Sequence, residues 1–263
     1  YSSAASDVYK RQEFGMGIAR MEDRYFQTNI IDFSETKHDE STYSIFGGSI
    51  VLEGSTLNAR QFATQGSREK MAAQIFTGTE HFRSGVSKVT KGTPEPYKKV
   101  QSWLQVSYQN ETYHKVSPKF TLGAYLEAYY SSRNFSNNYT ATLMQAGEFT
   151  PTAHSKVTYN EAFRANQYAG VGTMPIYQLS ESFQLRGEFY GFIPIFPIKK
   201  DEYGQAYYGK AFTKFEYLGE ISLVFQLSFG SISAYVNHYS SPSNDWNVGL
   251  TLGWQLFNSR FVE

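Results

Sequence analysis

Residues 246–256 alternate strictly between apolar side chains and polar or small ones. One face of an extended segment would carry Trp246, Val248, Leu250, Leu252, Trp254 and Leu256. At ~3.3 Å per residue the two tryptophans are ~26 Å apart along the strand. In a strand tilted by ~40° from the membrane normal, this distance projects to ~20 Å along the normal, close to the ~25 Å apolar band of an outer-membrane barrel. Ordinary strands of about 5–6 residues do not need so long a pattern. It therefore predicts a membrane-spanning β-strand whose even-numbered residues face lipid.

Composition excludes several classes of protein. The 263 residues contain 24 basic and 24 acidic side chains, so no basic footprint for nucleic acid is present. Cysteine is absent, which excludes disulfides and thiolate sites. No apolar run approaches the ~18 residues that a membrane helix needs, while 17% of the chain is aromatic, with 21 Tyr and 21 Phe. A polar, aromatic-rich, cysteine-free chain is typical of a transmembrane barrel, and a soluble β-sandwich could share it.

The same alternation recurs upstream and predicts about ten strands. The clearest segments lie around 104–109, 120–128, 183–189 and 216–227, with weaker ones at 13–22, 43–57, 68–82, 168–178 and 231–239. Long and short connections alternate, and the longest spans 132–167, which we expect outside the barrel or folded into its lumen. The charged and amide groups on one face indicate a wet interior. We therefore predict an all-β, antiparallel up-and-down transmembrane barrel with the short turns and the C-terminus in the periplasm of a Gram-negative bacterium.

The first twelve residues differ from the rest. Tyr1 to Gln12 reads YSSAASDVYKRQ, which resembles a translated sequencing-adapter scar, the alternative being a genuine polar tail. We therefore treat 1–12 as a non-native or disordered tail and 13–263 as the barrel domain, with native sequence expected upstream.

Residues with catalytic or metal-binding chemistry form no recognisable pattern. The five histidines are scattered without metal-ligand spacing. No Gly-x-Ser-x-Gly elbow and no Ser/His/Asp set is apparent. The sequence therefore predicts no catalytic residue, no metal site and no cofactor in this chain.

Three segments carry a family resemblance. They are 139–172 (YTATLMQAGEFTPTAHSKVTYNEAFRANQYAGVG), 185–194 (LRGEFYGFIP) and 230–263 (GSISAYVNHYSSPSNDWNVGLTLGWQLFNSRFVE). The order is a strand, a long loop whose tip reads Phe163-Arg164-Ala165, and five more strands. This order resembles the bacterial surface antigen barrels of outer-membrane assembly factors and two-partner secretion transporters. Within that superfamily it is most similar to the C-terminal barrel of patatin-like phospholipases, closely over 139–263 and loosely over 43–132.

The resemblance implies a role for the arginine at the loop tip. In the related barrels this arginine enters the lumen and pairs with acidic residues on the following strands. Here the matching interior carboxylates are Glu188, Glu216 and Glu220, so Arg164 is predicted to hold the loop across the pore through one of them. The alternative is an exposed arginine. Two departures, Ala165 where a glycine is usual and the ending Phe-Val-Glu, fit the patatin-linked branch better than the assembly factors.

The resemblance also implies a function. The family barrel has sixteen strands, so ten would be its C-terminal part. Its expected role is to anchor an upstream lipid hydrolase domain that contains the catalytic residues, with help in exporting that domain as a further expected role. The expected partners are outer-membrane lipids, that upstream or periplasmic domain and the barrel assembly machinery, with no nucleic acid. One alternative is the barrel of an assembly or two-partner secretion transporter. The other is a soluble β-rich binding module.

Overall fold

The structure is a computed structural model that describes residues 9–26, 37–85, 96–136, 138–227, 230–241 and 246–254, without the side chains of Tyr9 and Trp254. It contains one α-helix, α1 (Tyr139–Gln145), and two 3₁₀ turns, Ser155–Val157 and Glu161–Phe163. The strands in chain order are β1 (Tyr9–Tyr25), β2 (Asp39–Ser55), β3 (Gly66–Arg83), β4 (Tyr97–Lys115), β5 (Phe120–Ser131), β6 (Gly147–Glu148), β7 (Arg164–Ala165), β8 (Gln167–Gln178), β9 (Phe183–Pro194), β10 (Ile198–Lys200), β11 (Ala206–Tyr208), β12 (Glu216–Leu227), β13 (Gly230–Tyr239) and β14 (Trp246–Trp254).

Ten of these strands form a single antiparallel sheet. Its order is β1-β2-β3-β4-β5-β8-β9-β12-β13-β14, so each long strand pairs with the next one along the chain. This confirms the predicted all-β up-and-down meander of about ten strands. The short pairs β6–β7 and β10–β11 lie within the two longest connections that the structure describes.

The sheet is open within the described residues. β1 and β14 end the strand order and share no hydrogen-bonded ladder there, so each leaves one row of backbone groups without a neighbouring strand. An open edge at the first strand is consistent with ten strands being part of a larger barrel. The strand begins earlier than expected, however. β1 starts at Tyr9, so the last four residues of the expected tail, 9–12, are paired with β2, and the rest of that tail, 1–8, lies outside the described residues.

The two faces of the sheet differ as the alternation predicts. On the outer face, Phe14, Ile50, Ala73, Val106 and Tyr130 are successive cross-strand partners on β1 to β5, and they form one apolar row. This continuity follows from register, because a slip of one residue would turn a whole strand's apolar set inward. The outer face therefore carries a band of exposed apolar side chains across the sheet.

The first four strands continue beyond this band on the side of the long connections. Residues 97–104 of β4 precede the first pair between β4 and β5, which is Gln105 with Ser131. Above the band the outer face of β1 is charged, with Arg20, Glu22 and Arg24 exposed. The longer strands therefore project past the apolar band, and on β1 this extension has a charged outer surface.

The buried core lies on the inner face. Its largest cluster combines aromatic side chains of the strands with residues of the 132–166 connection, and it includes Tyr113, Tyr125, Phe149, Phe163, Tyr168, Tyr190, Phe192 and Tyr239. The core is therefore built between the sheet and an inserted segment rather than between two sheets.

Candidate functional site

The connection between β5 and β8, residues 132–166, folds against the inner face, and we call it the inserted loop. This is one of the two positions expected for it. Phe149 lies at its centre, stacked on Phe192 with ring centroids 5.5 Å apart and edge-on to Tyr190 at 6.3 Å. The approach depends on Gly170 of β8, because a Cβ there would lie 2.1 Å from the Phe149 ring. Phe163 and Tyr168, which lie on either side of Arg164, belong to the same cluster as Tyr190.

One end of the inserted loop is attached to β2, β3 and β4 through Glu80. This buried carboxylate accepts hydrogen bonds from Tyr97 Oη at 2.6 Å, Gln101 Nε2 at 2.8 Å and Tyr43 Oη at 3.1 Å. It also accepts one from Ser136 Oγ of the loop at 3.3 Å. Hydrogen bonds of this kind compensate a carboxylate for the loss of water.

A cation on the same part of the loop faces the aromatic side chains of these strands. The Arg133 guanidinium lies over the Trp103 ring, 4.5 Å from its centroid, and over that of Tyr43 at 5.2 Å. Burial lowers the pKa of Arg133 from its usual value, while Tyr43 and Glu80 act in the opposite direction. Cation–π contacts of this kind stabilise the position of the loop against β2 and β4.

Helix α1 follows and ties the loop to β1. Its N-cap, Asn138, accepts a hydrogen bond from the Ala141 amide at 2.8 Å, and it donates one to Tyr25 Oη of β1 at 3.0 Å. The same asparagine thus satisfies an orphan helix amide and reaches the edge strand. Burial raises the pKa of Tyr139, at the start of the helix, to about 12.

The predicted partners of Arg164 are wrong. Its guanidinium forms an ion pair with Glu148 at 2.9 Å and donates to the carbonyl oxygens of Leu143 and Met144, both at 3.3 Å. None of Glu188, Glu216 and Glu220 is within ion-pair distance of it in the described residues. Pairing of β6 with β7 sets Glu148 directly opposite Arg164.

The alternative of a solvent-exposed Arg164 is also wrong. The side chain is only 10% exposed, and it lies over the Tyr159 ring at 4.6 Å. Its position at the end of α1 has a physical reason, because the last carbonyls of a helix lack partners and favour a cation. Burial raises the pKa of Tyr159, and the nearby Arg164 opposes that shift. Arg164 therefore folds inward but stabilises the loop internally.

A histidine makes the contact that was expected of the arginine. His154 Nδ1 lies 2.6 Å from Glu220 Oε1, and the two residues are only 4% and 3% exposed. The imidazole is stacked on Tyr235 of β13 with centroids 3.5 Å apart. The loop is thus joined to an interior carboxylate on β12, one of the three predicted, through a residue that the sequence reading treated as scattered.

The surroundings of this pair hold buried polar atoms without a hydrogen-bond partner. They are His154 Nε2, Ser222 Oγ, Ser233 Oγ, Asn237 Oδ1 and Tyr239 Oη, on the loop and on the inner face of β12 and β13. Since neither serine hydroxyl bonds to the imidazole, the pair lacks the contact of an activated nucleophile. The cluster therefore brings several buried polar atoms without a hydrogen-bond partner to the inner face of β12 and β13.

The other two predicted carboxylates have local partners. Glu188 pairs with Arg186 at 3.2 Å and accepts a hydrogen bond from Tyr190 at 2.9 Å. Glu216 pairs with Lys214 at 3.4 Å and accepts a hydrogen bond from Ser240. The expected wet interior is therefore occupied by protein groups around these residues.

The opposite end of the inner face is covered by the β2–β3 connection, residues 56–65, which sequence reasoning treated as an ordinary turn. Arg186, 2% exposed, donates to the Ala63 carbonyl at 2.9 Å. Gln61 Oε1 accepts a hydrogen bond from Ser231 of β13 at 2.9 Å. The turn joins β2 and β3, whereas Arg186 is on β9 and Ser231 on β13. Contacts between elements so far apart in the strand order require the sheet to be curved.

The predicted lipid-facing residues lie on the outer face where the structure describes them. Trp246, Val248, Leu250 and Leu252 are 65–81% exposed. The side chain of Trp254 and the whole of Leu256 lie outside the described residues. No helix among the described residues is long and apolar enough to cross a bilayer. Within those residues no group of His, Asp and Glu side chains could hold a metal ion.

No family model, curated protein or solved structure matches this chain. The family resemblance of the three sequence segments therefore stays a prediction. What the structure supports directly is the sheet, its apolar outer band and its attached inserted loop.

Proposed function

We propose that this chain is the membrane-embedded part of an outer-membrane barrel and that it anchors an attached domain. The observation that carries the proposal is the outer apolar band, whose exposed apolar side chains occur on the outer face of the long strands from β1 to β14. Leu250 and Val248 in its last strand are 81% and 80% exposed. Soluble monomers rarely expose contiguous apolar patches larger than a few hundred Å², whereas a bilayer requires such a surface.

The strand lengths and loop positions support the same proposal. The four longest connections, β1–β2, β3–β4, β5–β8 and β9–β12, all lie at one end of the sheet, and those at the other end have ten residues or fewer. This is the asymmetry of outer-membrane barrels. In a bilayer the free edges of β1 and β14 would leave backbone groups unsatisfied at several kcal/mol each. We therefore propose that further strands pair at these edges to complete a larger barrel.

An anchoring role fits the interior better than an open channel. The inserted loop is attached to β3 through Glu80 and to β12 through His154, and the turn at 56–65 covers the other end. A secretion or assembly barrel remains the alternative function, and it would need these contacts to break during transport. The identity of the attached domain, a patatin-like lipid hydrolase, is proposed from the sequence resemblance alone.

The decisive experiment compares two neighbouring residues of β14. Leu250 is on the outer face and Thr251 on the inner face. In a barrel, Leu250→Arg should lower the free energy of unfolding by about 2–4 kcal/mol, whereas Thr251→Arg should lower it by less than about 1 kcal/mol. The measurement is urea unfolding of the full chain after folding into phospholipid vesicles.

The soluble binding module is tested by the same samples. A soluble module would fold without vesicles, stay in the aqueous fraction on flotation and tolerate Leu250→Arg, since an exposed arginine in water is not penalised. Equal sensitivity of the two positions would refute the assignment of lipid and lumen faces.

A further inference from the structure

The outer face is interrupted by a groove of about 670 Å³ that crosses β8, β9, β12, β13 and β14. Its walls are apolar and aromatic side chains of the outer band, among them Phe189, Phe215, Tyr217, Ile221 and Trp246. The volume lies within the range of about 300–1,000 Å³ that is usual for ligand sites. Most of the band is a continuous apolar surface, so this depression calls for an explanation.

The groove exists because glycines alternate with large side chains on β9 and β12. Gly219 is opposite Phe189, and Gly191 is opposite Tyr217, so each bulky residue faces a position without a side chain. A Cβ on Gly219 would meet only Phe189, at an ordinary contact distance of 3.5 Å. The space above Gly219 is thus open rather than filled by the residues around it.

One end of the groove is polar and aromatic. His238 is stacked on Tyr217 with centroids 5.9 Å apart, and it contacts the Trp246 ring at 4.9 Å. These residues are near the ends of their strands on the side of the long connections. Tryptophan and tyrosine are favoured at the level of lipid head groups, and the imidazole offers a hydrogen-bond donor to a phosphate or ester oxygen.

We propose that the groove binds one lipid whose head group carries a phosphate, with an acyl chain over Gly219 and the head group beside His238. The inference rests on the proposed membrane location, because only there does the groove face acyl chains. The match is in shape and polarity. The floor of the groove is the open space above Gly219, its walls are apolar, and one end is a ring cluster that can hydrogen-bond. The site would hold a specific lipid at the wall of the sheet rather than in its interior.

The test is native mass spectrometry of the full chain, extracted in mild detergent from phosphatidylglycerol vesicles. The wild-type chain should retain one phospholipid. Gly219→Leu should fill the floor and weaken retention by about tenfold, equivalent to losing contact with about two methylene groups. The matched control is Ala234→Leu, an exposed outer-face position of β13 outside the groove, which should leave retention unchanged. His238→Phe keeps the ring stack and should weaken retention by removing the donor.

Flotation of the vesicles before extraction separates the two possible failures. If the wild-type chain does not float with vesicles, the membrane proposal fails. If it floats but retains no phospholipid, or if Gly219→Leu retains as much as Ala234→Leu, the groove is not a lipid site. A protein partner in the groove would appear as retention of that protein in place of lipid, and it would also overturn the inference.

Discussion

The contact between His154 and Glu220 provides the sharpest test of how the inserted loop is held. Both side chains are almost fully buried, and Nδ1 and Oε1 are 2.6 Å apart. With His154→Ala, the carboxylate would keep only a long contact from Asn237 Nδ2 at 3.5 Å, and the stacking on Tyr235 would be lost. A hydrogen bond to a charged group contributes about 1.5–3 kcal/mol and a ring pair about 0.5–1.5 kcal/mol.

We therefore expect His154→Ala to lower the free energy of unfolding by about 3 kcal/mol, near the bottom of the range for breaking a buried pair. Glu220→Gln keeps the volume and one acceptor, so its effect should be about 1–2 kcal/mol. In the double variant the two losses should not add. Its loss should be close to that of His154→Ala alone, which leaves a coupling energy of about 1–2 kcal/mol.

Urea unfolding of the vesicle-folded chain gives these free energies, and hydrogen exchange of residues 149–166 reports whether the loop has been released. His81→Ala is the control, because that histidine is exposed on the outer face of β3. A coupling energy below about 0.5 kcal/mol, or unchanged exchange in the loop of His154→Ala, would refute the idea that this pair holds the loop.

Two further substitutions test the loop's packing. Arg164→Met removes the Glu148 ion pair and the carbonyl contacts. It should lower the free energy of unfolding by about 2–3 kcal/mol and expose the inserted loop to protease. Arg164→Lys, which keeps the charge, should restore part of the loop's resistance to protease. Gly170→Ala would place a Cβ 2.1 Å from the Phe149 ring and should cost about 1–3 kcal/mol. The control is Gly54→Ala, because nothing lies within 4 Å of a Cβ at that position. In the same urea unfolding it should lower the free energy of unfolding by less than about 0.5 kcal/mol. Equal effects of Gly170→Ala and Gly54→Ala would argue against loop packing at Gly170.

The strands could be predicted because their signal is local. Alternation with period two marks both the strand and its exposed face, and strict alternation in residues 246–254 coincides with β14. Connection lengths follow from the same pattern, so the position of the long loop between β5 and β8 was also predictable. The start of β1 was missed because Tyr9 to Gln12 is polar on both faces, while its pairing with β2 is a property of two strands together.

The partners within the site depend on contacts that no local pattern encodes. Arg164 and Glu220 are both charged and both turned inward, yet the two-residue pairing of β6 with β7 gives the arginine a nearer carboxylate, Glu148. The loop's own fold therefore decides which cation reaches the sheet. His154 could have been found only by asking which titratable residues of the loop remain once Arg164 is used locally.

The open edges explain why the inner contacts matter for the shape of the sheet. A closed barrel keeps its curvature through backbone hydrogen bonds around the ring, and the described strands have no such closure between β1 and β14. Here the inserted loop reaches from Tyr25 on β1 to Tyr235 on β13, and the 56–65 turn connects β2 and β3 to Ser231.

These cross-links span the concave side, so they oppose flattening of the sheet. In a closed barrel, a segment that fills the interior can leave while the surrounding strands keep their curvature. In the described part of this chain, releasing the inserted loop also removes one of the two sets of contacts that hold the two halves of the sheet toward each other, and only the 56–65 turn remains. Exposure of the interior and unrolling of the sheet are therefore coupled, unless additional strands supply the backbone closure.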